Sequence, residues 1–257
     1  MDRADLLKAA ALGLVAGFLS GLFGVGGGIL IVPILVLALQ MDQRLAHRTS
    51  LTAVLPIAIS GLVGFGSSAS VDWPVAAALS VGAMLGAVIG THALKVLPTR
   101  VLGLGFATVL LLSALLLAFD SSDASGRSGL DLALWVGLLV IGLLSGTLAG
   151  MPGVGGGVVM VPAMISLVGI PAAVAKGTSL AVIIPTSMVA TCRNLRNGNT
   201  ALRVAVVAGL AGVVSSFAAS KISVGLDERT SNVLFALLLA VVAVRMVVQL
   251  RRSPDVV

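Results

Sequence analysis

Long apolar segments fill most of this chain and limit what it can fold into. Of its 257 residues, 58% are apolar and 10% are charged, whereas soluble domains average roughly 45–50% and 25%. A soluble core of this length needs a polar surface that so few charged residues cannot supply, but a surface that faces hydrocarbon needs none. The sequence therefore predicts an all-α polytopic membrane protein.

Ten apolar segments are separated by short polar stretches. Most have about 17–23 residues, enough at ~1.5 Å per residue to cross a hydrocarbon layer of ~30 Å as a helix. Segments 28–40 and 155–169 are shorter, so each is predicted to be a broken half-helix or one arm of a re-entrant hairpin. The full set is 5–23, 28–40, 49–66, 73–95, 100–119, 132–150, 155–169, 177–193, 202–220 and 231–248. The acidic start is unlike the basic start of a signal peptide, so the first segment is predicted to be retained.

A glycine-rich motif occurs twice. The stretch 24–33, GVGGGILIVP, returns at 153–162 as GVGGGVVMVP. A Thr-Ser pair follows both copies at the same distance, as Thr49-Ser50 and as Thr178-Ser179. The simplest interpretation is two copies of one ancestral unit, which we place at 1–125 and 126–257.

Each copy holds five segments, an odd number, so the second copy is predicted to insert upside down relative to the first. In this arrangement most of the Arg and Lys residues, including Arg44 and Arg196, fall on the side of the N-terminus. A parallel arrangement of the copies divides the basic residues almost evenly between the two sides. Because basic residues are retained in the cytoplasm, we expect inverted repeats with both termini cytoplasmic, His47 in an inner loop and Lys176 in an outer loop.

The two glycine runs, here called tip 1 (24–28) and tip 2 (153–157), each precede a short segment. A helix that begins at such a run directs free backbone N–H groups and the positive end of its dipole toward the glycines, and both favour an anion. In transporters built from inverted repeats the substrate lies between the repeats near the membrane midplane. We therefore expect the tips to meet there and bind an anion. The alternative is that the glycines only permit tight helix packing.

The Thr-Ser pairs are predicted to open the third and eighth segments. Their hydroxyls can donate to an oxyanion without bringing a charge into lipid. The alternative is that they only cap the helix starts. Pro56 and Pro185 follow the pairs and are expected to kink both helices.

Glycines at four-residue spacing form a third pattern. Small residues on one helix face allow close helix packing, so these stripes are predicted to build the scaffold. They are 13/17/21, 82/86/90 and 142/146/150, with Gly212, Ser216 and Ser220 as a weaker fourth stripe.

Several function classes are not supported. All ten acidic residues fall in loops or at segment ends, which argues against a cation pump with buried carboxylates. The glycine runs lack the residues of nucleotide sites, and no basic and aromatic surface indicates nucleic-acid binding. His47, His92 and Cys192 are too far apart in sequence to indicate a metal site. We therefore expect no enzyme activity, no cofactor and no metal.

The duplicated Gly-x-Gly-Gly-Gly-x(4)-Pro unit followed by Thr-Ser is similar, over nearly the whole chain, to the sulfite exporter TauE/SafE family of prokaryotic membrane proteins. The resemblance implies a transporter of small sulfur-containing anions or organic acids across the bacterial inner membrane, often outward. The second tip is unlike the first in two respects. Lys176-Gly177 stands in the second copy where the first has His47-Arg48, and Met151-Pro152 is inserted before the second glycine run. The binding residues that the resemblance implies are Gly26, Gly27, Gly28, Pro33, Thr49, Ser50, Gly155, Gly156, Gly157, Pro162, Thr178 and Ser179.

These observations together predict a secondary transporter of a small anion that works by alternating access at the repeat interface. A passive anion channel is the alternative, and a membrane scaffold without transport is a third. The expected partners are the lipid bilayer and a small anionic substrate, with the coupling ion and the oligomeric state left open.

Overall fold

Helices account for all the regular structure that the computed structural model describes, in residues 3–67, 71–96, 99–118, 131–150, 156–196 and 201–252. Each of the ten apolar segments corresponds to one helix, which confirms the all-α prediction. Six of these helices, α1, α3, α4, α6, α8 and α9, are long and apolar enough to cross a membrane. The helices are α1 (Arg3–Phe23), α2 (Gly28–Ala38), α3 (Gln43–Gly66), α4 (Trp73–Val96), α5 (Thr99–Ala118), α6 (Leu132–Gly150), α7 (Gly157–Val168), α8 (Ala172–Arg196), α9 (Leu202–Gly225) and α10 (Glu228–Arg252).

Large apolar side chains point outward from several helices. Leu7 on α1 is 71% exposed and Val214 on α9 is 70% exposed. In water such surfaces cost free energy, whereas in hydrocarbon they do not. The outer surface of the helices is therefore one that lipid covers.

The starts of α3 and α8 differ from the sequence prediction. α3 begins at Gln43 and α8 at Ala172, so polar residues that we read as loop belong to helices. The carboxylate of Asp42 accepts a hydrogen bond from the N–H of Leu45 at 3.3 Å and caps α3. The predicted loop positions of His47 and Lys176 were wrong. The Thr-Ser pairs are the seventh and eighth residues of α3 and α8, so the prediction that they open these helices was also wrong.

The glycine stripes form helix interfaces, as predicted. α1 packs against α9, and a Cβ on Gly17 would lie only 2.6 Å from the Cα of Gly212. α4 packs against α6, and a Cβ on Gly86 would lie 2.8 Å from the backbone nitrogen of Thr147. The backbones touch because no side chain separates them, which is the role of small residues in membrane helix pairs.

Helices from one half of the chain pack in pairs against helices from the other half. The first helix of each half, α1 or α6, packs against the fourth helix of the other half, α9 or α4. The equivalent helices α3 and α8 contact each other and run antiparallel. Near one end Thr191 donates to the carbonyl of Leu51 at 3.4 Å, and at the other a Cβ on Gly177 would lie 3.2 Å from the Cβ of Phe65. This opposite direction is consistent with inverted repeats.

Candidate functional site

Tip 1 is a buried left-handed turn between α1 and α2. Gly26 and Gly27 have φ angles of 76° and 75°, a region that L side chains rarely adopt. A Cβ on Gly27 would also lie 2.7 Å from the carbonyl oxygen of Ala16. Backbone conformation and space therefore both require glycine at this position.

Tip 2 is described only from Gly156 onward, so Gly155 lies outside the described residues. Gly156 repeats the left-handed turn with a φ of 58°. A Cβ on Gly157 would lie 2.8 Å from the carbonyl oxygen of Gly24 and 2.9 Å from the Cα of Val25. The two tips are thus in contact inside the bundle, as the sequence predicted.

Two short helices begin where the tips touch. α2 has 11 residues and α7 has 12, about half the length needed to cross the hydrocarbon. The carbonyls of Gly27 and Gly156 accept the first i→i+4 hydrogen bonds, from Ile31 and Met160, both at 3.2 Å. The N–H groups that begin each helix, such as that of Gly28, have no acceptor within the helix. The positive ends of both helix dipoles therefore lie at the tips.

Pro33 and Pro162 lie inside these short helices, as the sixth residue of each. Proline has no N–H, so the carbonyls of Ile29 and Val158 lose their usual intrahelical donor. The proline positions therefore weaken both helices one turn beyond the tips.

Two hydroxyls of the predicted binding set are buried without a partner. Ser50 and Ser179 have no exposed surface, and neither Oγ forms a hydrogen bond. The Oγ of Ser179 lies 2.8 Å from the position that a Cβ on Gly157 would occupy. Ser50 lies one turn before Val54, whose Cγ1 would be 3.2 Å from a Cβ on Gly26 of tip 1. A buried hydroxyl without a partner costs roughly 1–3 kcal/mol. A ligand that accepts hydrogen bonds at the tips would remove this cost.

The neighbouring threonines already have partners. Thr49 accepts a hydrogen bond from the N–H of Ala201 at 3.3 Å, and Thr178 accepts one from the N–H of Asp72 at 3.1 Å. These are the residues before α9 and α4, so each threonine supports the start of a helix in the other half of the chain. A hydroxyl that accepts still has its own proton to donate.

Ser20 is a further hydroxyl that the sequence prediction left out of the site. It is fully buried without a partner, and it lies one helical turn after Ala16, on the side of α1 that faces tip 1. The equivalent residue in the second half, Ser145, donates to the carbonyl of Gly156 at 3.0 Å. The repeated Gly-x-x-Ser-Gly unit at 17–21 and 142–146 was the sequence signal for this pair.

Lys176 is buried beside tip 1, with 1% of its surface exposed. Its ammonium donates to Ser223 at 2.9 Å and to Ser231, and it lies 5.8 Å from the ring centre of Phe23. A Cβ on Gly24 would lie 2.6 Å from the Cα of Lys176. The site therefore has a positive charge at its edge.

The described carboxylates lie at helix starts. Asp72 accepts from the N–H of Val75 at 3.1 Å, Asp227 from that of Thr230 at 3.0 Å, and Glu228 from that of Ala172 at 3.1 Å. Among the described residues, no group of three or more His, Cys, Asp or Glu side chains could hold a metal ion. The acidic residues in this part of the chain stabilise helix ends.

Comparison with known proteins agrees with this architecture. The sulfite exporter TauE/SafE family matches residues 2–120 and 138–256. The chain is 28% identical over 212 residues to the "probable membrane transporter protein YunE" of Bacillus subtilis, over 73% of this chain and 77% of that protein. It is 30% identical over 169 residues to a "probable membrane transporter protein" of Haemophilus influenzae, over 61% of each. It is 36% identical over 104 residues to a protein of the same description in Xylella fastidiosa, over 38% of this chain and 40% of that one. Because the family match covers nearly the whole chain, this protein belongs to the sulfite exporter TauE/SafE family of membrane transporters.

Proposed function

We propose that this chain is a secondary transporter of a small oxyanion, a sulfur oxyanion or organic acid, which it binds where tip 1 and tip 2 meet. The observation that carries the proposal is the pair of buried hydroxyls without partners, Ser50 and Ser179, on helices beside the tips. Native proteins pair nearly all such groups. Hydroxyls left unpaired in a transporter indicate a ligand that completes them.

The electrostatics of the tips favour an anion over a cation. Two helix N-termini lie there, and each provides backbone N–H donors and the equivalent of about half a positive charge. The ammonium of Lys176 lies near tip 1, and none of the carboxylates among the described residues is buried. An oxyanion would accept hydrogen bonds from Ser50, Ser179 and the helix starts, and its charge would be attracted by both helix N-termini and by Lys176.

The packing of the helices supports alternating access. α1, α3 and α9 pack against one another, and α4 and α6 form a close pair that α8 joins through α4. The two units meet where α3 contacts α8, beside the tips. Rocking of one unit against the other about this contact would open the tips to one side of the membrane and then to the other. We place the protein in the bacterial inner membrane with both termini cytoplasmic.

Uptake by proteoliposomes tests the proposal. The purified protein should take up radiolabelled sulfite, a sulfonate or a monocarboxylate with saturable kinetics, while liposomes without protein take up none. Saturable uptake of sodium or potassium with no anion flux would contradict it. An anion current that follows voltage without saturating would indicate a passive channel, an alternative that the names of the relatives do not favour.

A further inference from the structure

Lys176 is a buried positive charge that the sequence prediction placed outside the protein core. Burial of an ammonium in a medium of low dielectric constant is costly unless a negative charge balances it. An ionisable residue inside a membrane protein therefore indicates a functional role.

The described partners of the Lys176 ammonium are all neutral. Ser223 donates its own proton to the carbonyl of Leu22 at 2.7 Å, so its oxygen accepts from the lysine. Ser231 also accepts, and the face of the Phe23 ring adds a weak attraction. None of these groups carries a negative charge.

Two carboxylates near this end of α8, those of Asp72 and Glu228, belong to other contacts. Asp72 donates its own N–H to Thr178, and its carboxylate accepts from the N–H of Val75 at the start of α4. Glu228 is exposed to solvent and accepts from the N–H of Ala172, one turn before Lys176. Solvent and salt screen an exposed charge far more than a buried one. Glu228 therefore leaves the positive charge of Lys176 largely uncompensated.

Both the backbone and the ammonium of Lys176 lie beside tip 1. Its Cα lies against Gly24, and its ammonium lies over the ring of Phe23, the residue before Gly24. Ser179, one of the unpartnered hydroxyls, is three residues further along α8, on the adjacent turn. An anion at the tips would thus lie within the field of the ammonium.

We infer that Lys176 is the fixed counter-charge of the anion site and that it limits the substrate to monovalent oxyanions, such as a sulfonate, hydrogensulfite or a monocarboxylate. This inference rests on the proposed function. The helix dipoles carry no net charge, so the formal charge of Lys176 is the one that a bound anion must balance. One negative charge beside it gives a loaded site with no net charge. A divalent anion would leave a net negative charge in the protein interior, and a neutral ligand would leave the lysine uncompensated.

Three small ligands of similar shape and different charge distinguish a preference for monovalent anions from a preference for divalent or neutral ligands. Methanesulfonate, sulfate and dimethyl sulfone are all tetrahedral around sulfur and have the same number of heavy atoms, but they carry one, two and no negative charges. Their affinities for the purified protein can be measured by calorimetric titration at neutral pH. Lys176→Gln removes the charge and keeps a donor for Ser223 and Ser231, whereas Lys176→Arg keeps the charge. Lys221→Gln removes an exposed lysine of α9 and serves as the matched control.

We expect the wild type to bind methanesulfonate at least about tenfold more tightly than either other ligand, because methanesulfonate is the one of the three that balances the charge of Lys176. Lys176→Gln should reduce the preference over dimethyl sulfone about tenfold and leave what the helix N-termini and the hydroxyls contribute, while Lys176→Arg and Lys221→Gln should keep the wild-type preference. A folded Lys176→Gln protein with the wild-type preference would overturn the counter-charge role.

The wild-type protein alone also tests the inference, should Lys176→Gln fail to fold. Sulfate binding as tightly as methanesulfonate would overturn the restriction to monovalent anions while leaving the proposed function intact. If the wild type binds none of the anions tested and transports none, the proposed function fails together with this inference.

Discussion

Gly157, the first residue of α7, lies directly against Gly24 of tip 1. A Cβ on Gly157 would come within 2.8 Å of the carbonyl oxygen of Gly24 and within 2.8 Å of the Oγ of Ser179. The two glycine turns of the chain and one unpartnered hydroxyl therefore converge on one place.

Replacement of Gly157 with alanine should push the tips apart. The added methyl group would meet backbone atoms that cannot move without displacing tip 1, so we expect a loss of about 1–3 kcal/mol in stability and a loss of anion uptake by the protein that still folds. Thermal unfolding in detergent and uptake by proteoliposomes measure the two effects. Gly105→Ala is the control because a Cβ there meets nothing within 4 Å. Equal stability and equal anion uptake of Gly157→Ala and Gly105→Ala would show that neither folding nor transport requires the contact between the tips.

The unpartnered serines should be dispensable for stability. Ser50→Ala and Ser179→Ala break no hydrogen bond in the structure, so each should leave the thermal stability unchanged or slightly higher. Ser216 is equally buried but donates to the carbonyl of Ile57 at 3.0 Å. Ser216→Ala should therefore cost about 1 kcal/mol. A stability loss at Ser50 or Ser179 as large as that at Ser216 would mean that these hydroxyls have structural partners.

The glycine stripes should tolerate no side chain. Gly86→Ala would force a methyl group into the backbone of Leu143 and Thr147, so we expect a low yield of folded protein and a lower melting temperature. Gly137 lies in the neighbouring helix α6 with nothing within 4 Å of its Cβ position. Gly137→Ala should be neutral or stabilising by about 0.5–1 kcal/mol. A similar yield from both variants would contradict close packing of α4 against α6.

Residues 44 and 196 should lie on the same side of the membrane. α3 and α8 run antiparallel, so the start of α3 and the end of α8 lie at one end of the bundle. Single cysteines at these positions, in a Cys192→Ala background, should react with an impermeant thiol reagent from the cytoplasmic side. Gly225→Cys, at the far end of α9, should react from the opposite side. Labelling of 44 and 196 from different sides would contradict the inverted arrangement.

Much of the fold could be predicted because membrane helices correspond to long apolar segments of the sequence. The stripe glycines, such as Gly17 and Gly86, predicted helix packing because spacing alone places them on one face. The helix starts were less predictable. Residues 43–48 looked like a loop because most of them are polar, and residues 172–176 because they end in Lys176, but both stretches are helical in the folded protein.

The site was predictable only where a repeated motif marked it. The tips and the Thr-Ser pairs are visible as duplicated residues, and the structure brings the tips together. Lys176 could not be identified because its partners, Ser223 and Ser231, are distant in sequence, and local pattern gives no sign of such contacts. Ser20 was visible in a repeated unit, but only its burial without a partner distinguishes it from a packing residue.

The most direct test of the account is the affinity of the purified protein for methanesulfonate when both unpartnered hydroxyls are removed. The account predicts that the Ser50→Ala, Ser179→Ala double variant stays folded and binds at least about a hundredfold more weakly than the wild type, since a hydrogen bond to a charged group contributes roughly 1.5–3 kcal/mol. Ser216→Ala should bind as the wild type does. A folded double variant with wild-type affinity would show that these hydroxyls do not bind the anion, and would contradict the account.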